Sequence, residues 1–563
     1  MYSPGSVRHR APEEDTADFG MVAAMTSGSS RIMTGATAAL AQLAAEGVEV
    51  AVGIPGEHNI ALCDAVLDHP RMRFITGRHE QAITFMANSY ARASARVAVS
   101  LNVGGPGVTN SLTALADAYC DSVPMLLVAS CCDRVTLGRG GFHELKDQSA
   151  VLQSVTKWHT RVEEVDAVPA AIQRALFEAR SGRPGPTAVE IPVGLQCEEA
   201  EVRLRTPLPV PRPAADVEAV AEAARHLSAA RVPMVLIGGG AARADCGREL
   251  VALVECLNAA CFTTSLGKGV VPDDHPLSLG WRLVENGPGR IFLDEADVLL
   301  VVGSSLGEVE TGGWALPLPR KLIHIDICPG IIGRNYRAAV GLTGDAKVVL
   351  GQLLDALAGC DVTDRRSPAP RIAALKAQIH ARIRDKTSFQ FVRTMQAALP
   401  DDAVVTNDAS VMNAWTLVHL TRTRPRTAYI TRSLAALGFA YPAAVGAKLA
   451  YPERQAVAVT GDGGFLFTSD ALSTAVQYRL NAVALVFNDR SYGTIKQAQI
   501  DRFGRAVGVD LVNPDFVRLA EAYGGAGCHV ERPDDLRVAL AAAFARDVPT
   551  VIEVPFEPDR DMF

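Results

Sequence analysis

Between Met33 and about Glu199 the chain alternates short β-branched runs with longer segments in which apolar residues recur every three to four positions. The runs VEVAVGIP, RMRFITG, RVAVSLNV and MLLVAS are too short for helices and read as strands, while the segments between them read as the helices that carry the chain from one strand to the next. Such alternation predicts a parallel sheet covered by helices on both faces. The pattern returns in PMVLIGGG, VLLVVGSS and KLIHIDI between about Val217 and Gly359, and again in AVVTND, AVAVTGD, AVALVFND and TVIEV from about Asp385 onward. The fold class expected is therefore α/β, with three doubly wound parallel-sheet domains.

Two proline-rich stretches, VRLRTPLPVPRPAAD and GCDVTDRRSPAPR, interrupt the pattern and mark linkers. The expected organisation is a disordered tail over residues 1–32, a first domain over 33–199, a linker over 200–216, a central domain over 217–359, a second linker over 360–384, and a third domain over 385–563. A chain of 563 residues agrees with several domains at one per ~150 residues.

The net charge of −7 is small for this length and is not gathered into runs, which argues against nucleic acid and anionic membranes as partners and leaves a small molecule. The 11 cysteines form no C-x-x-C pairs, so neither a zinc ribbon nor a disulfide framework is indicated. The first residues hold charge, Pro, Gly and Ser without an apolar h-region, and no later apolar run approaches the ~18 residues of a membrane span. A cytoplasmic protein is expected.

The chemistry is most concentrated in GDGGFLFTSDALSTAVQYRLNAVALVFND, Gly461 to Asp489. Asp462 and Asp489 each stand just beyond a run that reads as a buried strand, and the helix between them, with Leu472, Ala475, Val476 and Leu480 on one face, makes a β-α-β unit that brings the two strand ends together. In parallel sheets ligands gather at such ends, where Gly461, Gly463 and Gly464 permit tight backbone with N–H groups turned to an anion. Two carboxylates beside a diphosphate-sized nest suit Mg2+ holding a diphosphate. A lone GDG is explained as well by an aspartate capping a helix; the second acid at matched spacing favours the metal.

GDGGF followed by NDRSYG resembles the thiamin diphosphate motif of the acetolactate synthase and 2-oxo acid decarboxylase superfamily. The resemblance implies Asp462, Asp489 and the backbone carbonyl of Ser491 as metal ligands. Asp489 stands where the family more often has Asn, adding a negative charge beside the diphosphate. A second segment, RHEQAITFMANSYAR, matches the family's R-H-E-Q-x-x-x-x-M-A-x-x-Y-A-R and makes Glu80 the glutamate that pairs with N1′ of the aminopyrimidine and so activates the cofactor. On its own, Glu80 would read as a first-turn acid favoured by the helix dipole. GIPGEHN, NVGGPGVTN, DSVPMLLVAS and SLAALGFAYPAAVGAK extend the resemblance over nearly the whole chain from Met33. It further implies cofactor contacts at Pro55, Gly56, Asn110, Ala435, Leu437, Gly463, Gly464, Tyr492 and Gly493, with Leu437 under the cofactor's bend and the Ala435 carbonyl accepting from its 4′-amino group. Glu80 and Asp462 fall in different domains, and the resemblance implies a homodimer or homotetramer with active sites at subunit interfaces.

The resemblance leaves two reactions open once the C2 carbanion has attacked a 2-oxo acid and CO2 is lost. The enamine is protonated, as in a decarboxylase, or it joins a second carbonyl, as in an acetolactate synthase-type carboligase. His143 replaces a Gln of the acetolactate synthases in FHELKDQ, and an imidazole can relay a proton, which makes it a catalytic candidate for decarboxylation. Ala498 stands where those synthases place a Trp for the second 2-oxo acid, and GSSLGEVETGG replaces their flavin-contacting segment, so no FAD is expected. The IGGGAARA stretch can still cradle a nucleotide phosphate. GIPGEHN and FHELKDQ look closest to 5-guanidino-2-oxopentanoate decarboxylases, with Glu57, Glu144 and Asp147 available to a guanidinium. In DASVMNAW, Val411 and Met412 cannot donate side-chain hydrogen bonds to a diphosphate and leave that to backbone N–H groups. A nicotinamide oxidoreductase is disfavoured because no G-x-G-x-x-G follows a first strand with an acid about 20 residues later. A silent regulatory homologue has no need of Glu80, Asp462 and Asp489 together.

Overall fold

The computed structural model describes residues 30–281, 284–285, 287–359, 365–559 and 561–563; most of the expected tail, and the expected second linker up to residue 364, lie outside the described residues. The apolar runs form three six-stranded sheets, every strand pair of which is parallel. The inner strands are almost wholly buried, as continuous Val, Ile, Leu and Ala runs require when helices cover both faces, whereas the edge strands Arg73–Thr76, Trp158–Arg161 and Ala526–His529 are partly exposed.

The first sheet is ordered Arg73–Thr76, Val50–Gly53, Ala98–Asn102, Met125–Cys131, Pro186–Pro192, Trp158–Arg161. The third is ordered Ala428–Ile430, Val404–Asn407, Ala456–Gly461, Ala482–Asn488, Thr550–Pro555, Ala526–His529. Counted within each unit, these two orders are the same. The central sheet differs, running Ser278–Trp281, Ala260–Thr263, Pro233–Ile237, Val298–Val302, Lys321–Asp326, Val340–Thr343. In each sheet the order reverses at the strand that comes first in the chain, Val50–Gly53, Pro233–Ile237 and Val404–Asn407, and the crevice at that reversal is where loops from neighbouring strands diverge and leave room for a ligand.

The first and third units share one apolar cluster, built from Phe85, Met86 and Tyr90 on the one side and Phe439, Ala443 and Ala447 on the other. Helix Glu80–Ser94 lies against helix Ala440–Ala450 so closely that a Cβ on Gly446 would stand 2.1 Å from the Met86 carbonyl oxygen. Only glycine permits that approach. The central unit keeps its own two clusters, one on each face of its sheet.

Two segments expected to be irregular carry regular structure. Arg31–Thr34 pairs antiparallel with Glu199–Val202, drawing the end of the expected tail and the start of the first linker into a two-stranded ribbon. Within the expected second linker, helix Ala369–Ile383 buries Ile372, Ile379 and Ile383, a spacing on one helical face that proline-rich flanks had obscured. Among the described residues no helix is long and apolar enough to cross a membrane.

Candidate active site

In the third sheet, Ala456–Gly461 pairs with Ala482–Asn488 in a register that sets Gly461 opposite Phe487, so Asp462 and the pair Asn488–Asp489 leave the sheet side by side. Asp462 is 1% exposed, and its Oδ2 accepts from Asn513 Nδ2 at 2.5 Å. The same amide donates to Asn488 Oδ1 at 2.9 Å, and Asn488 Nδ2 donates to Glu553 Oε1 at 2.7 Å. Asp489 is half-buried and accepts from the Ser491 N–H at 3.1 Å; burial and the neighbouring Asp462 charge push its carboxyl above the usual range.

The glycines here act differently from the sequence expectation of a turn. Asp462, Gly463 and Gly464 open a short helix, Asp462–Leu466, and neither glycine has a positive φ. They are needed for space: a Cβ on Gly463 would stand 2.5 Å from the Tyr492 ring and one on Gly464 3.0 Å from Asp408 Oδ2. At Gly493 a Cβ would meet Asp489 Oδ2 at 2.2 Å, so glycine lets the carboxylate fold over the start of helix Gly493–Phe503.

The two acids therefore converge, one fully buried and the other disfavoured as an anion by the first. That donor set fits a hard divalent cation with oxygen ligands, and the residues present could hold the Mg2+ and diphosphate expected from the sequence. Beside them, helix Val411–His419 is capped by Ser410, whose Oγ accepts from Asn413 N at 3.2 Å, leaving the N–H groups of Val411 and Met412 in its first turn for an anion.

Sequence reasoning missed Asp408. It follows strand Val404–Asn407 at the sheet's reversal point, its Oδ1 accepting from Phe439 N at 2.9 Å and its Oδ2 from Thr460 Oγ1 at 3.0 Å, and burial pushes its carboxyl up to about 6. Phe439 ends the loop that holds exposed Ala435, at φ 54°, and half-buried Leu437, so Asp408 fixes one end of that loop. The other end is fixed from the first unit, where Asp121 accepts from the N–H groups of Arg432 and Ser433 at 3.2 Å each. Arg92, on the Glu80 helix, donates to Asp121 at 2.9 Å and to Asp117 at 3.1 Å. The signal for Asp408 was an acid just past a strand, as at Asp462; nothing local marked Asp121.

In the first unit Glu80 opens the 15-residue helix Glu80–Ser94, capped by His79 Nδ1, which accepts from Gln81 N at 3.2 Å. Glu80 is 8% exposed, its Oε2 accepts from Asn110 Nδ2 at 2.9 Å, and a Cβ on Gly107 would stand 3.4 Å from its Oε1. Pro55 is exposed and Gly56 half-buried at the end of strand Val50–Gly53, with the Gly56 N–H held by Asn59 Oδ1 at 2.8 Å.

His143 has φ 62° and joins a ring cluster with Phe142 at 3.8 Å and His58 at 5.0 Å between centroids. The Nδ1 atoms of both histidines are buried without a hydrogen bond, and burial with the neighbouring His143 lowers His58 below its ordinary range. His58 was unmarked in the sequence because its partner lies in a distant loop. Two of the acids considered for a guanidinium are engaged elsewhere: Glu144 accepts from the N–H groups of Gly138 and Gly141, and Asp147 caps helix Gln148–Val155. Glu57 is exposed at the mouth of the Gly56 loop.

Among the described residues no hydrogen bond or ion pair joins Glu80, Asn110 or His143 to Asp462, Asp489 or Ser491. The central unit has a separate cavity of about 380 Å³ at its own reversal point, lined by Gly239, Gly240, Arg183, Arg243 and Asp326, where burial and neighbouring arginines lower Arg243 to about 9.

Comparison with known proteins agrees with this arrangement unit by unit. Residues 33–151 match the N-terminal TPP binding domain of thiamine pyrophosphate enzymes, 220–353 their central domain, and 408–554 their C-terminal TPP binding domain. A "Probable 2-ketoarginine decarboxylase AruI" of Pseudomonas aeruginosa is 36% identical over 540 residues, covering 93% of this chain and 94% of its own. A "Probable acetolactate synthase large subunit" of Methanocaldococcus jannaschii is 32% identical over 549 residues, at 93% and 92% coverage. "Acetolactate synthase isozyme 3 large subunit" of Escherichia coli is 31% identical over 536 residues, at 91% and 92% coverage. The chain belongs to the thiamine pyrophosphate-dependent enzymes of the acetolactate synthase-like superfamily, whose members act on 2-oxo acids.

Proposed function

We propose that the protein is a Mg2+- and thiamin diphosphate-dependent decarboxylase of a 2-oxo acid. The observation that carries the reading is the pair of separately built ends. A buried glutamate opens a helix at one sheet's crevice, and two converging carboxylates stand at the matching crevice of a sheet with the same strand order. Asp462, Asp489 and the Ser491 carbonyl would hold the metal, the Val411 and Met412 N–H groups and Gly463 and Gly464 at the start of helix Asp462–Leu466 would face the diphosphate, and Tyr492 and Gly493 would close that end. When bound, the cofactor supplies a carbon nucleophile and an electron sink for the departing carboxyl group. Glu80, held by Asn110, would exchange a proton with the pyrimidine ring; Pro55 and Gly56 would line the same end, and Leu437 and the Ala435 carbonyl would contact the cofactor between the two ends.

Decarboxylation is favoured over carboligation by His143 and His58, whose unbonded ring nitrogens offer a proton beside the Gly105 turn, where a Cβ on Gly105 would stand 2.4 Å from the His143 carbonyl oxygen. An aldehyde is released if a proton, and not a second carbonyl, reaches the reacting carbon. For the donor, a 5-guanidino-2-oxopentanoate is supported by the 36% identity to the P. aeruginosa protein, with Glu57 as the remaining free acid near the crevice. The carboligase reading is supported by the relatives named acetolactate synthase. A subunit interface at the site is supported by the lack of direct bonds between the two ends in one chain. It is also supported by helix Gly493–Phe503, which follows the metal loop, buries none of its residues and exposes Ile495, Ile500 and Phe503.

The test is CO2 release over a panel of 2-oxo acids including pyruvate and 5-guanidino-2-oxopentanoate, with products separated. Aldehyde alone is expected; a 2-hydroxyketone or acetohydroxy acid as main product would replace the reading with the carboligase. A colourless preparation is expected if, as we propose, no FAD is held.

A further inference from the structure

One cluster away from the proposed ligands mixes an imidazole with two carboxylates. Asp515 precedes helix Phe516–Ala522, His529 ends strand Ala526–His529, and Glu553 lies directly opposite His529 in the adjoining strand. One donor atom from each lies within 4.8 Å of the other two. Together with Asn488, Arg490 and Asn513 they line an open pocket of about 460 Å³ at the edge of the third sheet.

Acids near a histidine are common and by themselves indicate nothing. The informative group is Glu553, only 7% exposed. Its Oε1 is bonded by Asn488 at 2.7 Å, but its Oε2 is buried with no hydrogen bond, and the His529 Nδ1 that faces it stands at 3.4 Å. A buried carboxylate left half-satisfied costs free energy unless a cation or donor completes it. Asn513 Oδ1, on the same pocket wall, is likewise buried without a hydrogen bond. Asp515 Oδ1 takes the Arg518 N–H at 3.0 Å as a helix cap; the Arg518 guanidinium, 3.5 Å from Oδ2, has a side chain 85% exposed that can turn to water.

We propose that Asp515, His529 and Glu553 form a second divalent metal site, for a borderline transition ion such as Zn2+ or Co2+. One nitrogen and two oxygen donors suit such ions, whereas Mg2+ prefers a shell of oxygens alone. Three protein ligands leave room for water at the open side of the pocket. The ion would tie the segment before helix Phe516–Ala522 to the edge strand Ala526–His529 and to its neighbour Thr550–Pro555. Asn513 lies in that segment and donates to Asp462 Oδ2, and Asn488 joins Glu553, so the ion would brace the proposed cofactor anchor from behind. That consequence rests on the proposed function; the metal site rests on its own three ligands.

The experiment titrates Co2+ into protein supplied with thiamin diphosphate and saturating Mg2+, followed by calorimetry and by the visible ligand-field absorption of the ion. The variants are His529→Ala, which alters a half-exposed side chain, and Asp515→Asn, which keeps a capping oxygen and removes the charge. One Co2+ per chain is expected in the wild type, with affinity at least ~10-fold weaker in each variant. Failure of the wild type to take up Co2+ below millimolar concentration, or binding by either variant as tight as wild type, would overturn the proposal. Because wild type and variants share the same Asp462 end, the comparison holds even if the cofactor fails to load, and loading itself is read separately from thiamin diphosphate calorimetry.

Discussion

The first and third sheets share a strand order and press their helices together, yet their crevices are equipped in opposite ways. The first presents one buried carboxylate, Glu80, shielded by Gly107 and bonded by one amide, with Glu57 left exposed. The third presents Asp408, Asp462 and Asp489, fastened by Asn513, Thr460 and backbone N–H groups. The first suits proton movement at a ring, for which a lone shielded acid is enough. The second suits a cation, which needs several oxygens and raises the cost of leaving them unpaired. Strand order alone thus says where a ligand sits and not what chemistry meets it.

Four substitutions break or sharpen that contrast. The largest effect is expected from Glu80→Gln, which keeps the shape of the first crevice and removes its proton: CO2 release should fall about a thousandfold while thiamin diphosphate affinity, by calorimetry, stays near wild type. Equal losses in both measurements would erase the division of labour. Next, Asp462→Ala should cost roughly a hundredfold or more in Mg2+-dependent cofactor affinity and leave the Glu80 end intact; unchanged affinity would remove the metal from the third crevice.

A smaller, pH-dependent effect is expected at Asp408, whose folded value of about 6 lies above that of an unfolded aspartate, ~3.9. The folded state then binds the proton more tightly, so the contribution of this group is complete below pH ~4 and is lost as pH rises through about 6. Asp408→Asn removes the titration. The stability of the variant relative to wild type should therefore grow by ~2 kcal/mol between pH 4 and pH 7, measured on cofactor-free protein by urea unfolding. A flat difference would mean that Asp408 is not held in the way its bonds to Phe439 and Thr460 imply. The smallest effect is expected from Asn513→Ala, which touches Asp462 without being a proposed ligand and should weaken cofactor affinity ~10-fold with little change in turnover at saturation.

Much of this was legible in the chain. The three runs of alternating elements, the strand ends at Asp462 and Asp489 and the first-turn position of Glu80 follow from short-range periodicity, and the structure places them so. The glycine triplet was located correctly but its reason was not: without the Tyr492 ring and the Asp408 carboxylate in view, Gly463 and Gly464 look like turn formers, when what they provide is clearance. Ile372, Ile379 and Ile383 were passed over because prolines beside them suggested a linker.

The amino-acid sequence by itself determined the alternation of strands and helices that builds the three sheets, which acids stand at strand ends, and which family the motifs resemble, because each depends on residues close in the chain. Tertiary structure alone decided that Asp121 holds the Arg432–Ser433 loop, that His58 faces His143, that Asn513 reaches Asp462, and that Glu553 keeps one oxygen unbonded. Those partners are distant in sequence, and a hydrogen bond or an unmet charge leaves no periodic trace. It exists only once packing has fixed the distance.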